Sequence, residues 1–498
     1  MIIVKSEKKS DKVLDKNIDF NVYEPYNRSQ LNLSLCDENS FNLLIPFELN
    51  IEIQQLYEQI KKLGYNMFDI KDPFYQDICT PYDSSDGTDI LISDRINYFY
   101  NNDNVKCQQN CKFSNYSVEF HYLKCSCSES SNNESELFER KVKLESKKMY
   151  ERFYEVLKYP NVKIIKCYNI LFNINTVTKN IGNILVIVCF FCYFVCLIFY
   201  IFFGLSPLKK KIKKEMKKKN IHLKSDIKKL LYPPIRRITT NNLTIRDDIK
   251  KKKTNKNKRK KNKGKKNKFD NKINSELYEF EYKEAIKLDK RTLLQIYWDH
   301  LKREHILIFS FIKCNDYNLL FVKLTRFIFI IVTDMAFNAF FFSNESIHKL
   351  YLNHGKYDFF EQIPQITYSI IITQIIEIFL CFLSMTDRHF YLLKTYIIAE
   401  NKKEIKKIIK YINIKLIFFY IFIFIFFLNY WYIISIFCGV YRNTQIHFII
   451  DSIISFSIYL SIPFVMYFIF SGLRILSLRD SKKRFKCIYK FSYIIPFF

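Results

Sequence analysis

Two long apolar runs of this chain are interrupted by residues able to do chemistry. Arg326, Asp334 and Asn338 lie in the first run, and Gln374 and Glu377 lie in the second. Ionisable groups in hydrocarbon are costly and often functional. Gln374 and Glu377 are three apart, so a helix presents them on one face. If the runs are antiparallel neighbours, a rise of about 1.5 Å per residue sets Asp334 and Gln374 at similar depth. Glu377 then falls one turn further in, towards Arg326. Two chemistries fit this pattern. Arg326 can pair with Glu377 while hydrogen bonds lock the two helices. Alternatively, Asp334, Asn338, Gln374 and Glu377 form a cation or proton site. Tyr368 and Thr373 can extend either network, and Lys323 and Arg326 can snorkel to a membrane surface.

Cysteines supply the other chemistry. Of the 14 in the chain, seven precede the first apolar run: Cys36, Cys79, Cys107, Cys111, Cys125, Cys127 and Cys167. Outside the cytosol such residues pair. The candidate disulfide cysteines are Cys79, Cys107, Cys111, Cys125, Cys127 and Cys167, and six cysteines leave 15 connectivities open. C-x3-C followed by C-x-C suggests a small EGF-type module. It is poor zinc-ribbon spacing, and no histidine follows at ligand distance. Sequons begin at Asn27, Asn32, Asn115, Asn133 and Asn344, which are candidate glycosylation sites in an extracytoplasmic segment.

No P-loop, dinucleotide fingerprint, H-E-x-x-H or G-x-S-x-G motif occurs in the sequence. The expectation is therefore a non-enzymatic protein with no catalytic residue, no metal and no cofactor.

The elements that must carry these residues are membrane helices. Apolar residues make up 49% of the 498 and net charge is +29, yet mean hydropathy is near zero, because Phe/Ile/Leu/Tyr runs alternate with Lys/Asn runs. A bilayer core needs roughly 20 apolar residues as a helix. Five windows qualify: Ile181–Leu205, Lys323–Phe342, Gln365–Met385, Leu416–Phe437 and Ile449–Phe470. The loops after the second and fourth windows are poor in Lys and Arg. The loop after the third window and the tail after the fifth are rich in them, and PLKKKIKKEMKKK follows the first at once. This places the N-terminus outside or in a lumen and the C-terminus in the cytoplasm, in the plasma membrane or an endomembrane.

Lys250–Lys268 holds 13 basic residues and no acidic one. It predicts either a solvated low-complexity insert or contact with anionic lipid. No aromatic residue is interleaved to stack on bases, so no nucleic acid is expected. Around 289–304, Leu294, Tyr297, Trp298 and Leu301 recur at helical spacing between basic ends. That fits an interfacial helix or a helix packed on the bundle. Cys189, Cys192 and Cys196 share one stripe of the first window as small packing residues, and Pro463 is placed to kink the fifth.

Several segments carry a resemblance. They are DPFYQDICTPYDSSDGTDILISDR (Asp72–Arg95), Cys107, Asn110-Cys111, Cys125-Ser-Cys127 and Cys167-Tyr-Asn. LDKRTLLQIYWDHLKREHILIFSFIKCNDYN (Leu288–Asn318), FNAFFFSNESIHKLY and Ile363-Pro-Gln-Ile366 continue it. Together they resemble a functionally uncharacterised family of multi-pass protist membrane proteins with a cysteine-rich, partly EGF-like ectodomain. The resemblance covers roughly residues 36–205 and 280–480 and implies architecture only. Residues 1–20 lack the apolar core of a signal peptide, and the cysteine count is odd. Both suggest an N-terminally truncated chain.

The expectation is a mainly α-helical integral membrane protein with about five transmembrane helices and a small disulfide-bearing ectodomain of mixed or irregular structure. Its parts are a cysteine-containing domain (1–180), a first span (181–205), a basic cytoplasmic loop (206–304), a four-span membrane domain (305–470) and a basic tail (471–498). The function expected is a surface or endomembrane interaction protein, receptor-like, with an extracellular or lumenal protein ligand. The alternative is an oligomeric channel or transporter, a homo-oligomer, using the polar residues of the second and third spans.

Overall fold

A computed structural model describes residues 41–100, 111–127, 149–214, 282–312, 319–384, 387–399, 401–479 and 487–490, with a few isolated positions besides. Asn27, Asn32, Cys36, Asn133 and the Lys250–Lys268 run lie outside the described residues. The chain divides into two compact units. The first comprises residues 1–184, 338–365 and 432–450, and the second 185–337, 366–431 and 451–498.

The first unit opens with a three-stranded antiparallel sheet of β1 (Phe41–Pro46), β2 (Cys111–Ser117) and β3 (Tyr122–Cys127), in the order β1-β3-β2. A bulge between Phe113 and Asn115 shifts the register of β2 against β3. Helix α1 (Ile51–Lys62) starts where the Asn50 side chain accepts from the Ile53 amide, satisfying one of the first-turn donors. It buries Ile53, Tyr57 and Ile60, at the spacing of one helix face. These join Phe68, Phe74, Tyr75, Phe99, Tyr116 and Leu123 in one aromatic-rich core. Two disulfides close this part, Cys79–Cys167 and Cys107–Cys125. Cys111 is disulfide-bonded as well. Helix α2 (Met149–Lys158) and two 3-10 turns (Val162–Lys166 and Tyr168–Phe172) lead to the first long apolar helix.

The remaining principal helices are α3 (Ile181–Phe203), α4 (Leu293–Glu304), α5 (Leu320–Phe341), α6 (Asn344–Leu352), α7 (Phe359–Leu383), α8 (Asp387–Ile398), α9 (Lys402–Val440) and α10 (Gln445–Arg479). Four of them, α3, α7, α9 and α10, are long and apolar enough to cross a bilayer. They mark the chain as a mainly helical integral membrane protein. Helix α5 has the length, 22 residues, but its Lys323, Arg326 and Asp334 keep it outside those four. The five-span expectation therefore turns on what α5 does with its charges.

Helix ends differ from the apolar windows. Helix α9 begins at Lys402, well before Leu416, and α10 runs on to Arg479 with Pro463 inside it. Hydropathy sees where apolar residues stop, whereas backbone hydrogen bonding continues into flanks rich in good helix formers such as Lys. Within α9, Ile405, Ile412, Leu416, Phe419, Ile423, Phe427, Tyr430, Ile434 and Phe437 are buried. From Ile412 onward they form a stripe at three- and four-residue spacing, which the nearly uniform apolar sequence after Lys415 conceals. In the second unit Tyr193 of α3 donates to the Tyr420 carbonyl across this stripe at 2.9 Å.

Helix α4 has a capping box between Thr292 and Gln295. The stripe expected to lie together is split. Leu301 packs inward with Ile296 and His300, while Leu294 and Trp298 face outward.

The Cys79–Cys167 bridge closes 88 residues and Cys107–Cys125 closes 18. Loop-closure entropy makes the first worth about 4.6 kcal/mol and the second about 3 kcal/mol. Cys167→Ser is therefore expected to lower the thermal midpoint in detergent more than Cys125→Ser does, measured by circular dichroism under non-reducing conditions.

Candidate functional site

The polar residues of the apolar helices meet in the second unit, where α5, α7 and α10 come together. Arg326 of α5 donates to Glu377 of α7 at 2.6 Å. The other Glu377 oxygen accepts from the Tyr459 hydroxyl of α10. On the same three helices Asp334 is fully buried. Its Oδ1 accepts from Ser369 at 2.9 Å and from Ser455 at 2.8 Å. Arg326 and Asp334 are eight residues apart, as are Ser369 and Glu377. The two clusters thus follow one antiparallel register, about 12 Å apart along the helices.

This corrects the expected depths. Asp334 is level with Ser369, not Gln374, because the Arg326–Glu377 pair sets the register. Gln374 is half-buried. Asn338 is buried and belongs to the first compact unit. Asp334 and Glu377 are held by different side chains, Asp334 by Ser369 and Ser455 and Glu377 by Arg326 and Tyr459. Ser369, Ser455 and Tyr459 were not singled out in the sequence. Their signal was a polar residue on each neighbouring apolar helix at the depth of a carboxylate. Lys323 donates to the Phe309 carbonyl at 3.1 Å, with its ammonium 4.1 Å from the Phe309 ring centroid.

A second cluster in this unit uses the block around residue 290. Asp289 receives Arg291 at 2.7 Å and Arg474 at 3.1 Å. Burial raises the Asp289 carboxyl, but the two guanidinium groups outweigh it and hold it below the ordinary value. Burial, with Arg303, Arg474 and Arg291 nearby, pushes His300 down to about 3. It is a neutral ring stacked on Tyr467.

In the first unit, the Asp72–Arg95 segment supplies a third group. Arg95 is buried and donates to three carbonyls, those of Ile90 (3.1 Å), Phe74 (3.1 Å) and Thr80 (2.7 Å). Its guanidinium also lies over the Phe74 ring. Gly87, at φ +73°, makes the turn that brings Asp89 round. Asp89 accepts from the Thr444 amide (2.7 Å), the Thr444 hydroxyl (2.6 Å) and the Asn443 amide (3.1 Å), at the entry to α10. Asp94 pairs with His348 of α6 at 2.7 Å. The candidate cysteines Cys79, Cys107, Cys125 and Cys167 are thus placed in two bridges, and Cys111 is bonded. The Cys127 backbone stands in register with Cys111. Asn115 is exposed on β2. Asn344 is exposed at the start of α6, where the Ser346 hydroxyl meets Ser343.

Among the described residues no group of three or more His, Cys, Asp or Glu is arranged to hold a metal. No protein-family model, no curated protein and no solved structure matches the chain.

Asp89 and His348 of the first unit each contribute a pH dependence of the same sign. Burial raises Asp89 to about 6, against the opposing donors of Thr444 and Asn443. The hydrogen bond to Asp94 raises His348, with burial opposing it. Each holds a proton in the folded state that the unfolded chain releases at lower pH, so stability falls as pH rises. The Asp89 share is lost between its unfolded 3.8 and about 6. The His348 share is lost above its unfolded 6.5, as pH passes the raised value. His300 contributes in the opposite sense below its unfolded 6.5, so the Asp89 and His348 shares are read as differences between the wild type and single variants in the pH profile of the thermal midpoint in detergent. D89N should flatten the lower part of the profile and H348Q the upper part.

Proposed function

We propose that this is a five-span, non-enzymatic membrane protein whose disulfide-bearing N-terminal part lies outside the cell or in a lumen and engages a protein ligand there, with the C-terminus in the cytoplasm. The observation that carries the reading is the pairing of Cys79 with Cys167 and Cys107 with Cys125. Such bridges persist in oxidising compartments, and Cys167 precedes the first span by only 14 residues. The basic flanks then fall on the opposite side. Helix α5 joins the four apolar helices as a span because Arg326 and Asp334 find partners on α7 and α10. The basic run at 250–268 is proposed to touch anionic lipid on the cytoplasmic face.

The pore reading loses support from the geometry. Asp334 and Glu377 are occupied by Ser369, Ser455, Arg326 and Tyr459, which favours a lock between helices over an ion site.

Translation into microsomes tests the topology. Asn115 is expected to be glycosylated and a C-terminal tag to be cut by protease added from the cytosolic side. A bare Asn115 with an N-terminal tag open to that protease would overturn the reading.

A further inference from the structure

The two 3-10 turns before the first span have three-residue periodicity in burial. Asn161, Ile164 and Cys167 are buried. Val162, Ile165 and Tyr168 form a second row, all exposed, and Lys163, Lys166 and Asn169 form a third row, also exposed. A 3-10 helix has three residues per turn, so within the first turn residues three apart lie one above another, and the burial pattern carries the period on through Cys167 to Tyr168 and Asn169. The segment therefore offers an apolar ridge beside a lysine ridge. Leu171, half-buried, continues the apolar row, and Phe172, 80% exposed, ends the lysine row.

The anchoring of this segment gives its depth. Asn161 bonds the Phe340 and Phe342 carbonyls at the end of α5. Tyr432 of α9 donates to the Ile165 carbonyl at 2.7 Å. Tyr432 lies eight residues before the end of α9 at Val440, about 12 Å along the helix. It also falls within the 416–437 apolar window. The Ile165 backbone therefore runs beside the apolar part of a membrane helix. The chain then reaches α3, where Asn180 bonds the Ser435 carbonyl at 2.7 Å. Exposed apolar side chains at such a depth face lipid. A lysine row beside them reaches phosphate while its stems lie along hydrocarbon.

We propose that residues 162–168 form an interfacial lipid-binding strip, with Val162, Ile165 and Tyr168 in the acyl boundary and Lys163 and Lys166 on phospholipid phosphates. Helix α2 carries an exposed apolar row of its own, Tyr150, Tyr154 and Leu157 at one-face spacing. The Cys79–Cys167 bridge then fastens the folded core of the first unit to a strip seated in lipid. The inference rests on reading the apolar helices as spans.

Fluorescence quenching by brominated phosphatidylcholine vesicles holding the full chain tests it. In a W298F variant, Trp431 of α9 reports the spans. Ile165→Trp and Tyr168→Trp, each in a W298F/W431F background, report the strip, and Phe120→Trp in the same background is the control on the β2–β3 turn. Non-reducing electrophoresis confirms the disulfides, and Tyr168→Trp, replacing an exposed ring, carries the test if Ile165→Trp misfolds. Bromines near the headgroup are expected to quench positions 165 and 168 at least about twofold more than position 120, and more than deep bromines do. Quenching of Trp431 without quenching at 165 and 168 overturns the strip alone, as does cross-linking of those positions to a second copy or another protein. Absence of Trp431 quenching overturns the span reading itself.

Discussion

A carboxylate among apolar helices must find donors inside the protein, because lipid supplies none. The pairing of Arg326 with Glu377 meets that demand and sets the register of α5 against α7. Once it is made, Asp334 stands opposite Ser369, and α10 closes both clusters with Ser455 and Tyr459. Helices α5 and α7 each give and receive and α10 donates to both carboxylates, so none can slide by a turn without stranding a charged group. Removing one partner of such a pair costs about 3–5 kcal/mol, far more than the pair adds over an apolar replacement. The clusters therefore specify an arrangement more than they add stability.

The same logic operates in the first unit with different chemistry. Arg95 gathers three carbonyls of the loop that precedes it and gives the Asp72–Arg95 segment a fixed shape. That shape presents Asp89 to the amides entering α10 and Asp94 to His348 of α6. The acidic residues of this segment thus act as fasteners between the disulfide-closed part and the chain around residues 348 and 444. The block around residue 290 behaves alike, with Asp289 held between Arg291 and Arg474. In both segments polar side chains hold distant pieces of chain together.

Much of this was legible in the sequence, and the limits have physical causes. Helices α3, α7, α9 and α10 were visible as apolar runs of bilayer length, and the Arg326–Glu377 pair was one of the two arrangements that antiparallel neighbours offered. The depth of Asp334 did not follow, because its partners are serines, which look neutral in a membrane helix until a carboxylate faces them. The buried stripe of α9 was hidden since Phe, Ile and Tyr occupy every face of it. Asp89, Asp94 and Arg95 were quoted as a motif, but their partners lie more than 250 residues away for the two acids, and no local periodicity reports that. The 3-10 rows at 162–168 escaped because their period is neither that of an α-helix nor that of a strand.

The central claim is that the charges of the apolar helices are committed to one another. A double-mutant cycle on Arg326 and Glu377, read as the unfolding free energy in mixed micelles, tests it most directly. R326L and E377L are each expected to destabilise strongly, and the double variant to recover most of the loss, with a coupling of about 3 kcal/mol. Additive losses with no recovery would contradict the account and show that the two side chains act separately.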